Sequence, residues 1–491
     1  MAKQVAKKSP SIGKTSAKGL AKAEWLLIKG GSIFTASESF SGDILINRGK
    51  ICAVGENLDF GGPAEIIDAK GLEVYPGGVD AHTHFSLPFM GTVSADDFET
   101  GTKAAACGGT TTIIDFAIPA RGQNVSKAVE AWHQKAQGKA VVDYGFHVAL
   151  VEANEKVLAE IPKLVKDGIT SFKCFLAYKE ALMIDDAQFL EVLFAAKKHK
   201  ALVSVHAENG DMLSWLMKKL TDAGKTGPQY HPVAHPALAE GEATHRAIVL
   251  AKMAEVPLYI VHMSCYEALQ EVISARLSGQ MVFAETCPQY LLLSDELYQK
   301  SGFEPAKWVM SPPLRHVSNQ QPLWEGLSDG FIQTVATDHC SFRFKGQKDM
   351  GKGNFLKIPN GIPAVGDRIN LLYTYGVTQG RMTRNQFAAA IATNPAKLFG
   401  LYPRKGSIVP GADADLVIID PKKKGKISAK TTHHNVDYSA FEGFELKGLP
   451  VYVISRGDLI AKDDKFIGGS GRGVYLKRKT FDPGEWGVQK G

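Results

Sequence analysis

Eight short apolar runs, each followed by a longer stretch with helical spacing, fill the middle of the chain, and this alternation limits the possible folds more than any other feature. The runs are EVYPGGVDAHTH, TTTIIDFAI, VDYGFHVALV, TSFKCFLAY, ALVSVHAEN, PLYIVHMS, QMVFAETCPQ and FIQTVATDH, with stretches such as SADDFETGTKAAACGG, DAQFLEVLFAAKKHK and EATHRAIVLAKMAE between them. A strand that is apolar along its length is buried on both faces, as in a parallel sheet covered by helices. Eight such units across roughly 300 residues have the size of a (β/α)8 barrel of TIM type.

Before the barrel, residues 25–76 read as short strands (WLLIKGG, SIFTA, GDILINRGKICAVG, AEIIDAKG, LEVYPGG) separated by Gly, Asn and Ser turns. The same texture returns at 401–420 and 450–476. The expectation is that these flanking segments pair into one small composite β-sandwich. At 491 residues the chain is long enough for a large catalytic domain with a smaller companion. The expected division is a basic tail at 1–24, a sandwich from 25–76 plus 400–476, a metal-dependent barrel over 77–399, and a C-terminal tail at 477–491. The Gly-rich GGSGRGVY lacks the strand-to-helix context of a phosphate loop and reads as a turn or tail.

The net charge of +6 does not point to nucleic acid, because six lysines (Lys3, Lys7, Lys8, Lys14, Lys18, Lys22) and no acid fall in the first 23 residues. The remainder is close to neutral and has no basic block with interleaved aromatics. Six cysteines without a C-x-x-C pair, several inside apolar runs, read as reduced thiols in a cytoplasmic protein. The basic leader has no apolar core for secretion; it reads as a disordered tail, with an organellar address as the alternative. No apolar run reaches 18 residues, so no membrane span is expected.

In such a barrel the active site forms at the C-terminal ends of the strands. Five of the eight runs carry metal-ligand chemistry there: His82 and His84 on the first, Lys173 on the fourth, His206 on the fifth, His262 on the sixth and Asp338 on the eighth. On an extended chain, positions i and i+2 share a face, so His82 and His84 can grip one ion. The same spacing also occurs as an exposed pair or beside a helix cap, but the preceding PGGVD marks a strand entering a tight turn. His206 and His262 follow apolar residues, where an unpartnered imidazole is costly to bury. Singly, each reads as a neutral core histidine; together, at one depth of consecutive strands, they point to a ligand pair. His147, mid-run, and His231, His235, His245, His433 and His434, in loops, helices or the β tail, read as structural or surface residues.

Lys173 is the most informative position, since an ammonium inside SFKCFLAY is penalised unless something neutralises it. A catalytic amine of lowered pKa is one solution, and a carbamate formed with carbon dioxide, an anionic oxygen ligand, is another. Snorkelling from the strand end is the bland alternative. Asp338, closing TVATDH, either ligates an ion and takes a proton from water or caps the next helix. Four histidines, a lysine and an aspartate would give two divalent ions nitrogen and oxygen donors with an open position, which suits zinc.

Taken in order, PGGVDAHTHFSLPFMGTVSADDFETGTKAAACGGTTTIIDF, SFKCFLAYK, VHAENGD, YIVHMS, ETCPQYL, SPPLR, TDHC, KIPNG and KGSIVPGADADLVIID resemble the dihydropyrimidinase and D-hydantoinase group of the amidohydrolase superfamily, from about residue 25 to 475. The resemblance implies two zinc ions held by His82, His84, Lys173, His206, His262 and Asp338, with Lys173 carbamylated and bridging. It implies that the Tyr178 hydroxyl polarises the substrate carbonyl, and that main-chain groups of Ser311 and Asn360 hold the ring amide. The offset of Tyr178 from Lys173 has the wrong parity for one strand face, so Tyr178 belongs on the loop beyond. Ser-Pro-Pro and Asn-Gly are also ordinary turn sequences. The implied substrate is a small cyclic imide or ureide, and the implied assembly a homotetramer. The segment MGTVSADDFETGTKAAACGGTT stands closer to dihydropyrimidinases than to hydantoinases. Dihydroorotases, as a neighbouring group, carry an arginine where this chain has Ser86, which disfavours an acidic substrate. Allantoinases share the metal logic, whereas the scaffold relatives, the collapsin response mediator proteins, have lost ligands that this chain keeps.

Overall fold

The computed structural model describes residues 24–59 and 61–487. All of the expected basic tail except Glu24 lies outside the described residues. Each of the eight apolar runs contains one barrel strand: Gly78–Thr83, Thr110–Ala117, Asp143–Ala149, Ser171–Phe175, Leu202–His206, Leu258–Ile260, Val282–Thr286 and Thr334–Val335. Neighbours in sequence are neighbours in space, all parallel. A parallel bridge between Thr83 and His339 joins the last strand's extension to the first, closing the (β/α)8 barrel. Helices such as Asp186–His199, Ala237–Ala254 and Tyr266–Leu277 lie between successive strands. Local signals fix their ends: the Asp185 carboxylate accepts the Gln188 N–H, and Lys200, at φ 55°, turns the chain back into the fifth strand.

The first apolar run serves two sheets. Glu73–Pro76 pairs antiparallel with Leu416–Lys426 in the small domain, and Gly78–Thr83 opens the barrel. Gly77 makes the crossing, its N–H donating to the Asp415 carbonyl. A Cβ at this position would lie 2.4 Å from Thr111 Oγ1, so the approach of the two sheets requires glycine.

The small domain draws its strands from both sides of the barrel in sequence. They form one nine-stranded sheet in which strands from 416–466 continue through Glu73–Pro76 into those from 25–55. Trp25–Phe34 pairs in parallel with Ala64–Asp68 along its first half and with Glu73–Pro76 along its second. The change of partner falls at a bulge where Gly30 takes φ +70°. This sheet has its own core, including Leu26, Ile28, Ile44, Val74, Leu416 and Ile454.

Lys405 ties the two domains together. Its buried ammonium lies 2.7 Å from both Asp143 Oδ2, at the start of the third barrel strand, and Asp415 Oδ2. Over 477–487 the chain lies against the barrel: Phe481 is buried and the Trp486 ring packs 4.8 Å from that of Phe283. Among the described residues, no helix is long and apolar enough to cross a membrane.

Candidate active site

At the C-terminal ends of the strands, all nine candidate side chains come together. His84, Lys173, Tyr178, His206, His262, Ser311, Asp338 and Asn360 line one cleft, and His82 sits fully buried behind it. His82 Nε2 lies 2.9 Å from Lys173 Nζ and 3.1 Å from Asp338 Oδ1, and the same carboxylate oxygen is 3.1 Å from His84 Nε2. Across the cleft, His206 Nδ1 faces His262 Nε2 at 2.9 Å. Tyr178 lies on the loop beyond the fourth strand, as its parity requires, with its hydroxyl 3.5 Å from Asn360 Nδ2. Tyr178, His262 and Asp338 all adopt positive φ (63°, 38° and 51°), a strained conformation for residues other than glycine that turns each side chain inward past its strand end.

Two carboxylates behind the cleft hold the rings in orientation. Glu285 Oε1 lies 2.6 Å from His82 Nδ1 and holds that side of the ring, so Nε2 is the atom facing Lys173 and Asp338. Glu208 Oε2 accepts from His206 Nε2 at 2.9 Å, so the Nδ1 lone pair faces His262. Glu285 is itself held by the Tyr259 hydroxyl and the His262 N–H, and Glu208 by His235 Nδ1 and the Ser311 hydroxyl. The sequence reading missed Glu208, Glu285 and the buried, inward role of His235. The available signal was slight: Glu208 stands two residues after His206 in VHAEN, and Glu285 follows the apolar VFA and precedes Thr286 at the end of its strand.

Burial lowers the Lys173 amine to about 8, with Asp338 and Glu285 opposing the shift, so a neutral amine is accessible near physiological pH. Burial also takes His84 down to about 4 and His262 well below the usual imidazole range. Burial and Lys173 disfavour the His82 cation, but Glu285 and Asp338 outweigh them and hold its pKa above the ordinary value. Burial would raise Asp338, yet the surrounding histidines, His82 foremost, hold it well below the carboxylate range.

His82, His84 and Asp338 form a group able to hold a metal ion, with one donor atom from each lying within 4.8 Å of the others. Nδ1 of both His84 and His262 is buried without a hydrogen-bond partner. Such a concentration of buried imidazole nitrogen and carboxylate oxygen suits a divalent transition ion.

The cleft itself is narrow, with a volume of about 50 Å³. It shares Phe89, Tyr178, Leu182, Ser311 and Asn360 with an adjoining chamber of about 460 Å³, whose further walls include Met90, Leu213, Met217 and Phe355. A larger cavity of about 650 Å³, among Lys197, Lys200, Tyr402 and Phe481, lies at the opposite mouth of the barrel, away from these groups.

A parallel barrel joined to a smaller sheet, with imidazoles and a carboxylate at its C-terminal mouth, defines a metal-dependent class of hydrolase fold, and the chain belongs to the amidohydrolase family, which residues 74–460 match. Among its relatives, a D-hydantoinase of Geobacillus stearothermophilus is 51% identical over 456 residues, covering 93% of this chain and 97% of the relative. A D-hydantoinase of Streptomyces coelicolor is 46% identical over 461 residues, 92% of this chain and 98% of the relative. The crystal structure of a dihydropyrimidinase from Brevibacillus agri superposes with a TM-score of 0.92 at 48% identity, covering 93% of this chain and 99% of that one.

Proposed function

We propose that this chain hydrolyses a ring amide bond of dihydropyrimidines and hydantoins, opening them to N-carbamoyl amino acids. The observation that carries this reading is the convergence of His82, His84, Lys173, His206, His262 and Asp338 at one barrel mouth, with Glu285 and Glu208 each holding the far nitrogen of a ring whose other nitrogen faces the centre. The names of the relatives supply the substrate class.

In this reading the six residues would hold two zinc ions, with Lys173, as a carbamate, supplying anionic oxygen to them. Its lowered pKa supports this, because only the neutral amine adds to carbon dioxide. Zinc so held would polarise the substrate carbonyl and make water nucleophilic near neutral pH. The protein's own groups do the rest. Main-chain groups of Ser311 and Asn360 orient the ring amide. The Tyr178 hydroxyl, kept protonated by burial, donates to the carbonyl oxygen as negative charge builds there. Asp338, held ionised, takes the proton of the attacking water and delivers it to the ring nitrogen as the C–N bond breaks. Leu87, Phe89, Phe175 and Met310 line the cleft with apolar surface that excludes competing water.

The adjoining apolar chamber suits a ring bearing an apolar substituent as well as an unsubstituted dihydropyrimidine. Five buried free thiols accord with a cytoplasmic setting. A homotetramer accords with the exposed Phe194, Val249, Met253 and Leu277 on outer helices. The reading is tested by kcat/KM for dihydrouracil, dihydrothymine, hydantoin, a 5-phenyl-substituted hydantoin and allantoin. Ring opening of the first four, with allantoin at least about a hundredfold slower, is expected; turnover of allantoin alone would overturn it.

A further inference from the structure

Away from the catalytic mouth, a second group of metal-ligating side chains forms where three distant parts of the chain meet. Cys107 ends the helix Thr100–Cys107, His433 lies between the long strands Leu416–Lys426 and Glu445–Ser455, and Asp464 lies at the hairpin tip between Asp458–Lys462 and Lys465–Phe466. One donor atom from each, sulfur, ring nitrogen and carboxylate oxygen, falls within 4.8 Å of the other two. His433 Nε2 is 2.9 Å from Asp464 Oδ1.

This spacing separates two kinds of chemistry. In a nucleophile relay, cysteine and carboxylate occupy opposite nitrogens of the imidazole and stand well apart across the ring. Here the sulfur and the carboxylate oxygen are close to each other as well as to the histidine, so the three donors surround a common point, as ligands of one cation do. An independent observation concerns Asp367. It is 91% buried, given its relative exposure of 9%, and its Oδ2 has no hydrogen-bond partner. It lines the same pocket, of about 120 Å³, as Cys107, His433 and Asp464. A buried carboxylate oxygen without a donor calls for a cation or a proton nearby.

We propose that Cys107, His433 and Asp464 form a second, non-catalytic site for a divalent cation of the zinc class, with the Asp367 carboxylate completing its anionic wall. A thiolate and an imidazole favour zinc over magnesium or calcium. On binding, Cys107 loses its thiol proton to solvent, so thiolate and carboxylate together neutralise the ion's two charges. The His433 and Asp464 side chains are 35% and 66% exposed, which gives the ion a route in. The bound ion would pin the segment after Leu416–Lys426 and the hairpin onto a barrel helix. His433, which reads from sequence as structural or surface, would then be a ligand.

The test is a Co2+ titration of the full-length protein after its metal has been removed by chelation, followed by the near-ultraviolet charge-transfer absorption that only a thiolate ligand gives. The catalytic group supplies nitrogen and oxygen donors, so it contributes no such band. The expected result is a saturable band whose amplitude corresponds to one thiolate-bound Co2+ per chain in the wild type. It should be absent in His433→Ala and need about tenfold more metal in Asp464→Asn, while both variants keep ring-opening rates within about twofold of wild type because neither residue touches the catalytic cleft. A wild type without the band, or a band of equal strength in His433→Ala, would overturn the proposal.

Discussion

Glu285 accepts a hydrogen bond from His82 Nδ1 while also taking hydrogen bonds from the Tyr259 hydroxyl and the His262 main-chain N–H, so a single carboxylate fixes one ring and anchors the backbone that carries another. If these rings are ligands, weakening that acceptor loosens the metal before it touches the chemistry. Glu285→Gln should lower zinc affinity about tenfold, measured by competition with a chromophoric chelator; an affinity equal to wild type would contradict the role assigned to Glu285. Another residue-scale expectation concerns Lys348, which is fully buried with its Nζ donating to the Val309 carbonyl and its pKa lowered by burial from 10.5 to about 7. The folded chain therefore binds fewer protons than the unfolded chain between these values, and stability contributed at this position rises with pH across that window. The span amounts to an order of ~5 kcal/mol, at about 1.4 kcal/mol per pH unit. Lys348→Met lacks this dependence. Denaturant midpoints measured from pH 7 to 10 should rise more steeply in wild type than in the variant, and parallel profiles would show that Lys348 is not buried as a neutral amine.

At the scale of elements, the crossing at Gly77 is the tightest joint between the two sheets. Gly77→Ala would drive a methyl group into the Thr111 side chain and should cost about 1–3 kcal/mol, read as a lowered unfolding midpoint; a midpoint equal to wild type would mean that the two sheets are not locked together there. The eight barrel strands were legible because a strand covered on both faces leaves a continuous apolar run, and His206 and His262 stood out because each interrupts one. The run EVYPGGVDAHTH reads twice, as LEVYPGG in the flanking β segment and as the opening run of the barrel, because the Pro-Gly-Gly turn, and no change of periodicity, marks the crossing. Glu208 and Glu285 were missed for another reason. Their contribution lies in which ring nitrogen each faces, a matter of geometry between strands that residue type does not express. Tyr178 was placed correctly off the strand by parity alone, but its left-handed backbone, shared with His262 and Asp338, has no counterpart in the pattern of apolar residues.

At the scale of the whole molecule, the small sheet and the barrel are held by the buried Lys405 network with Asp143, Asp413 and Asp415 as well as by the crossing at Gly77. The N-terminal mouth of the barrel is covered by the chain's own C-terminal stretch, Phe481 and Trp486 included, which leaves the other mouth for chemistry. That mouth brings strand ends from most of the barrel to one cleft, and the central claim is that they act there as a metal-loaded cyclic amidase. The most direct test is atomic-emission metal analysis of the purified chain, paired with dihydrouracil turnover before chelation, after chelation and after zinc is restored. About two ions per chain beyond any lost with His433→Ala, turnover abolished by chelation, and turnover recovered with zinc are predicted; full turnover by the metal-stripped chain would contradict the account.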